Sequence, residues 1–346
     1  MLRHLSIFLT SIVLLVYAPV IRAQQQDSLT VRNLVFEGAG IRGIAYCGAI
    51  RELEEQGLMK GIERVGGTSA GAITALALSL GYTAEEIADI ISETDFKKLN
   101  DGKYFFAGGI NRVNRYFGWY RGEKFNKWLE KMIEDKTSNA DLTFEELHQL
   151  GFKDLYVTAT CLNKQQLVIL SRETYPNMRV RDAVRISMSI PLYFEAVFID
   201  TSGNVIKKPK KKNGLDVMVD GGFTGNFPIK IFDSARYVPA VSSTNGFVLN
   251  RATIGFRIDR AEQIINDSAA VGLAPMPVSN IKEYAGAFYN IIIENLNRQA
   301  LSAEDWKRTV SISDGKIGPK IRRLSKEEID VLMENGRNAT RKYLSL

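Results

Sequence analysis

The chain has 346 residues, 45% of them hydrophobic, with 45 basic and 39 acidic side chains and a formal net charge of +6. This is enough apolar chain for a sizeable core in one large domain or two small ones. The mild charge, two histidines and two cysteines offer no zinc-ligand spacing and no recognisable nucleic-acid module.

The first segment stands apart. Arg3 precedes an apolar run from Leu5 to Tyr17, and Ile21-Arg22-Ala23 resembles a cleavage site. Residues 1–23 read as a secretory signal peptide, which makes the mature chain 24–346 exported, periplasmic or secreted. An uncleaved anchor is the alternative, although the run is short for a full span. No cysteine follows it, which argues against a lipoprotein signal, and no other segment is apolar enough to cross a bilayer. Losing Arg3 and Arg22 takes the net charge from +6 to +4.

Val31 to Phe36 predicts a strand. It runs into Glu37-Gly38-Ala39-Gly40-Ile41-Arg42-Gly43 and then a helix to Glu55, closed by Gly57. Glycine-rich backbone at a helix start presents N–H groups to an anion. Gly38, Gly40 and Gly43 fit a dinucleotide loop, but Glu37 would oppose a pyrophosphate. The same loop fits an oxyanion hole, with Arg42 adding charge or bracing it. A plain tight turn is the third reading.

Ile62 to Val65 leads into Gly67-Thr68-Ser69-Ala70-Gly71, and a helical run from Ala72 to Leu80 follows. A G-x-S-x-G pentapeptide between strand and helix projects a serine hydroxyl on a sharp turn. The bland alternative is a turn at a helix start. A serine nucleophile needs a base. His4 lies in the leader, and His148 ends a short helix opened by a capping box from Thr143 to Glu146. His148 reads as a polar surface residue, so a carboxylate is the natural candidate.

Thr83 to Glu86 predicts another capping box, with a helix to Glu93. Asn100 to Tyr120 mixes glycines with Tyr104, Phe105, Phe106, Tyr116, Phe117, Trp119 and Tyr120. It reads either as a hydrophobic cluster under a loop or as a lipid-contacting wall. Lys124 to Asp135 is helical. Leu155 to Cys161 and Leu167 to Leu170 are strands. Arg179 to Met188 is a helix that Pro191 ends. Lys207-Lys208-Pro209-Lys210-Lys211-Lys212 is either a solvated loop or a contact for anionic headgroups. Leu215 to Val219 is a strand that delivers Asp220, with Gly221 and Gly222 removing bulk beside it. An ordinary Asp-Gly turn is the alternative. Ile254 to Ile258 is a further strand, Val278 to Leu301 an amphipathic helix or pair, and Lys326 to Leu344 the last helix. Cys47 falls in a helix and Cys161 in a strand, so buried thiols are expected over a disulfide. The alternation predicts an α/β fold with a mostly parallel central sheet and helices on both faces. No linker divides residues 24–346.

Taken in order, Gly38-Ala39-Gly40-Ile41-Arg42-Gly43, Gly67-Thr68-Ser69-Ala70-Gly71 and Asp220-Gly221-Gly222 resemble the motifs of the patatin-like phospholipase family. Ala39 stands where that family's loop has a middle glycine. Ser187-Met188-Ser189-Ile190-Pro191 is also similar, and the resemblance runs from about 31 to 228, with a helical C-terminal part at 278–346. It implies a three-layer patatin-like fold and a serine acyl hydrolase acting on phospholipids or related acylglycerols. Ser69 would be the nucleophile and Asp220 the proton acceptor. Gly38, Ala39, Gly40, Arg42 and Gly43 would form the oxyanion loop. Gly67 and Gly71 would shape the elbow, and Gly221 and Gly222 the base motif. A Ser–Asp dyad needs no metal or cofactor, the lysine cluster lacks the interleaved aromatics of a nucleic-acid site, and the lysines and aromatic stretch offer peripheral contact with a membrane surface. A non-catalytic lipid-binding protein on the same fold, or an acyltransferase or peptidase, is the rival. An aspartate has a pKa of about 3.9 in water, so its pocket must raise that value or align the proton.

Overall fold

A computed structural model of the protein describes residues 30–102, 107–238 and 246–345. The expected signal peptide and Tyr104 to Phe106 lie outside these residues. Val31–Leu346 packs as one unit.

In chain order the strands are β1 Asn33–Phe36, β2 Arg64–Gly67, β3 Gly118–Tyr120, β4 Asp154–Cys161 and β5 Gln166–Leu170. They continue with β6 Leu192–Phe194, β7 Val197–Ile199, β8 Asp216–Asp220, β9 Thr253–Asp259 and β10 Thr309–Ser313. The helices are α1 Ala45–Glu55, α2 Ala70–Ser79, α3 Ala84–Glu93, α4 Ala107–Tyr116, α5 Glu123–Thr137 and α6 Phe144–Gln149. After them come α7 Val180–Ser187, α8 Gly222–Gly225, α9 Ala261–Ser268, α10 Ile281–Gln299, α11 Ala303–Lys307 and α12 Lys326–Leu344.

The main sheet has the order β10-β9-β1-β2-β4-β8-β7, with β5 pairing β4. The pairs from β10 to β4 are parallel; β5 and β8 run antiparallel to β4, and β7, antiparallel to β8, returns to the direction of the main strands. The expectation of a mostly parallel sheet flanked by helices therefore holds. Its central strands are buried along their length: all of β1 and β9, and all of β4 after its first residue. Continuous apolar strands of this kind suit a sheet covered on both faces. Helix α2 is buried on every side, which a run of Ala, Ile and Leu with no charged residue permits.

Both expected capping boxes form, at Thr83 with Glu86 and at Thr143 with Glu146. Helix α12 packs closely on α1. A Cβ on Gly48 would stand 1.8 Å from the Met333 carbonyl oxygen, and one on Gly336 would stand 2.0 Å from that of Ala45. The region from Val278 to Leu301, expected to hold one helix or a pair, holds the single helix α10, and the short α11 follows beyond it. The β3–β6 pair and β10 were not anticipated from sequence.

Candidate active site

Ser69 sits in the two-residue turn between β2 and α2, with φ +53° and ψ −120°. A residue carrying a Cβ seldom adopts that conformation, so the surroundings must hold it there. They do so through close backbone approach. A Cβ on Gly67 would stand 2.3 Å from the Gly71 carbonyl oxygen, and one on Gly71 would stand 2.2 Å from that of Phe36. The Ser69 N–H donates to Ser187 Oγ at 2.8 Å, and the Ser69 hydroxyl lies 3.5 Å from Met188 Sδ. Helix α2 begins at the next residue, so its positive dipole end falls at the serine.

Asp220 is the last residue of β8 and is 4% exposed. Strand β4 lies between β2 and β8, with Gly67 opposite Val157 and Asp220 opposite Ala159. Two residues past Gly67 is Ser69, so serine and aspartate reach the same level on either side of β4. Burial pushes the Asp220 carboxyl up from its ordinary value to about 6. Two donors oppose that rise: the Gly222 N–H, 2.8 Å from Oδ1, and the Ser69 side chain. The Asp220 N–H donates to the Ser189 carbonyl at 3.0 Å. Its carbonyl accepts from Thr160 Oγ1 at 2.9 Å. Gly221 is required by contact, since a Cβ there would stand 2.5 Å from Thr158 Oγ1.

The glycine-rich loop lies against the same serine. A Cβ on Gly38 would come within 3.3 Å of Ser69 Cβ and 2.3 Å of Asn226 Oδ1. The Gly38 N–H was expected among the oxyanion donors, but it donates to the Asn226 carbonyl at 3.1 Å. Asn226 Nδ2 returns a bond of 3.1 Å to the Gly38 carbonyl. Ala39 and Gly40 stand at the start of a 3-10 turn, Gly40–Ile44, where N–H groups have no acceptor within the turn. Ala39 has φ −131°, so alanine in place of glycine costs nothing in backbone strain. Gly40 has φ +57° and lies beneath Pro319, whose carbonyl oxygen a Cβ would approach to 2.4 Å. Arg42 braces the loop: Nε donates to the Ala39 carbonyl at 3.2 Å, and Nη1 pairs with Asp314 at 3.4 Å. Glu37 turns into the protein, 3.3 Å from Arg257 Nη2.

Ser69 opens into an apolar cleft. Ile73, Phe125, Met188, Ile190, Phe194 and Ile321 contribute to its wall. An elongated hydrocarbon chain suits such a lining. His148 takes no part in it. Its Nδ1 lies 2.8 Å from Asp154 Oδ1 on an exposed stretch of α6. Cys47 and Cys161 are both free and buried, and burial pushes the Cys47 thiol up to about 12. Among the described residues no group of three or more His, Cys, Asp or Glu is placed to hold a metal.

The described part of the aromatic stretch forms a packed cluster. The Trp119 ring lies against Gly109, Tyr120 meets Tyr193 at 5.0 Å between ring centres, and Phe117 meets Phe198 at 6.1 Å. The five lysines do not act alike. Lys212 lies 4.1 Å above the Phe117 ring centre, whereas Lys210 and Lys211 are exposed. Sequence reasoning missed Asn226 altogether, and it placed Ser187 and Met188 in the right segment without a role. The C-terminal residues Pro319 and Ile321 also close over the cleft from beyond the recognised motifs.

The family model for patatin-like phospholipase matches residues 34–233. Among curated relatives, the uncharacterized protein YqhO of Bacillus subtilis is 36% identical over 220 residues, covering 61% of this chain and 69% of that protein. The probable lipid hydrolase 463L of Invertebrate iridescent virus 6 is 28% identical over 201 residues, 58% of this chain and 62% of the viral protein. The uncharacterized protein R571 of Acanthamoeba polyphaga mimivirus is 31% identical over 204 residues, and the match again spans 62% of it. Among solved structures, VipD from Legionella pneumophila shares the fold with a TM-score of 0.53 and 18% identity, over 91% of this chain and 67% of that one.

Proposed function

The chain belongs to the patatin-like phospholipase family, and from that premise we propose that it is a serine acyl hydrolase working through Ser69 and Asp220. The observation that carries this reading is a strained, dipole-facing serine lining an apolar cleft, with a buried aspartate brought to the same level across β4. In the proposed reaction Asp220 takes the Ser69 proton as Oγ attacks the ester carbonyl. The N–H groups of Ala39 and Gly40 stabilise the oxyanion, and the acyl group stays on Oγ while the alcohol leaves with the proton from Asp220. A water then gives its proton to Asp220 as it attacks the acyl carbon, and the acyl–Oγ bond breaks, releasing the fatty acid while Asp220 returns the proton to Ser69 Oγ. The apolar lining supports phospholipids or other acylglycerols as substrates. Labelling with a fluorophosphonate probe tests the nucleophile, and it should fall on the peptide that contains Ser69. Labelling elsewhere, or none, would sink the reading.

We extend the proposal to peripheral contact with anionic membranes. Lys210 and Lys211 are exposed in the loop between β7 and β8, near exposed Phe117 and Leu192, whose backbones are joined by a 3.2 Å hydrogen bond. Each lysine near an anionic surface contributes about 1 kcal/mol. Lys210→Ser with Lys211→Ser should therefore weaken binding to anionic vesicles by roughly tenfold or more, most clearly at low salt. Lys212 is left in place because it packs on Phe117. Turnover of a soluble short-chain ester should not change. Equal vesicle binding by variant and parent, measured by co-sedimentation, would remove this loop from the membrane surface.

A further inference from the structure

A second cavity, of about 440 Å³, lies beside α7 and has a different character from the apolar cleft. Its wall includes Arg121, Lys127, Arg185, Lys207 and Lys208. Among the described residues, none of these five has a carboxylate within ion-pair distance. Acidic groups also line it, but three of the four are engaged by arginines outside the lining. Glu130 pairs with Arg181 at 2.6 Å, Asp182 with Arg179 at 2.7 Å, and Glu195 with Arg112 at 3.9 Å. By count the wall carries five cations against four carboxylates, a surplus of one, and Glu195 faces Arg121, Arg185 and Lys208 as well as Arg112.

Arg185 makes the surplus informative. Its side chain is 7% exposed, and its guanidinium donates to Ser189 Oγ and to the carbonyls of Arg121 and Glu195, all neutral acceptors. A buried charge ordinarily has a counter-charge, because desolvation is otherwise uncompensated. Here the chain supplies none at contact distance. Arginine and lysine converging on one space are the usual means of holding a phosphoryl group.

The cavity wall is tied to Ser69 through the end of α7. Ser189, which receives the Arg185 bond, accepts the Asp220 N–H at 3.0 Å. One residue earlier, Met188 Sδ lies 3.5 Å from the Ser69 hydroxyl, and Ser187 Oγ accepts the Ser69 N–H at 2.8 Å. We propose that this cavity binds a phosphate-bearing anion, and that its occupancy fixes the end of α7 and so tunes the Ser69 site. The binding half stands on the cavity alone, and the tuning half rests on the hydrolase reading above.

The test is lysine acetylation footprinting by peptide mass spectrometry. The probes are inorganic phosphate and phosphatidylcholine vesicles with or without phosphatidate. The Ser69→Ala chain is used so that vesicles stay intact. Lys127, Lys207 and Lys208 should label roughly threefold more slowly at two-thirds occupancy, with Lys210 and Lys211 unchanged by phosphate. Protection by phosphate assigns the site to the free phosphoryl group, and protection only by phosphatidate vesicles assigns it to a lipid headgroup. Protection should vanish in Arg121→Gln. In a folded Lys207→Ser, Lys208→Ser chain it should vanish at Lys127, which guards against a misfolded arginine variant. No protection in either arm, or equal protection in both variants, overturns the binding half. In the chain with Ser69 intact, the protecting probe should change soluble-ester turnover by roughly twofold or more, and this response should be lost in the double lysine variant. Protection without any change in turnover overturns the coupling. A chain with no ester turnover at all contradicts the hydrolase reading and leaves the footprint standing.

Discussion

Ser69→Ala should lower hydrolysis of a medium-chain aryl ester by about 10⁴-fold or more, as removing a nucleophile that acts with its base as a unit does elsewhere. The fold should persist. Alanine keeps the Cβ that already tolerates φ +53°, and the backbone N–H bond to Ser187 Oγ survives. What is lost is the hydroxyl. His148→Ala should retain most activity, since that ring is engaged with Asp154 on an exposed part of α6. Both variants are read by aryl-alcohol release alongside thermal unfolding. A folded but inactive His148→Ala chain would overturn the dyad and bring back a triad. Substantial turnover by Ser69→Ala would move the chemistry to another residue.

Much of the site can be read locally, because its strain is local. A serine forced to positive φ needs small neighbours on both sides. Gly67 and Gly71 mark that need within five residues, each packed where no Cβ fits. Gly221 repeats the logic beside Asp220. Other parts leave no spacing to read. Asn226 holds Gly38 by two hydrogen bonds across 188 positions, and it removes one amide from the expected donor set. Ser187 receives the Ser69 N–H across 118 positions. The β3–β6 pair consists of two three-residue strands, too short for an alternation to show. Pro319 meets Gly40 only once the C-terminal segment folds back over the loop. The lysine run shows the converse. Five identical side chains invite one role, yet Lys212 lies on an aromatic ring, and of the four exposed ones only Lys207 and Lys208 border the cavity.

Asp220→Asn should be nearly inactive and yet more stable than the parent at neutral pH. Both effects have one cause. Burial holds the Asp220 carboxyl at about 6, and against an ordinary value near 3.8 the ionised form is disfavoured in the folded state. A shift of that size corresponds to about 3 kcal/mol. Because the folded value is raised, the native chain binds the proton more tightly than the unfolded chain. The penalty is therefore absent below about pH 4, grows as pH rises, and is complete above about 6. Asparagine cannot ionise, and its side-chain oxygen can still accept the Gly222 N–H at the place of Oδ1. Its unfolding temperature should exceed the parent's at pH 7.5, and the gap should close at pH 4. The same titration sets the activity profile of the parent. Only ionised Asp220 can accept the serine proton, so kcat/KM on a soluble ester should fall about tenfold per pH unit below about 6. Unfolding curves and initial rates across pH 4 to 8 check both halves. A flat rate profile through that range would exclude Asp220 as the base. A variant less stable than the parent at pH 7.5 would mean that the carboxylate is better solvated or better paired than its burial implies.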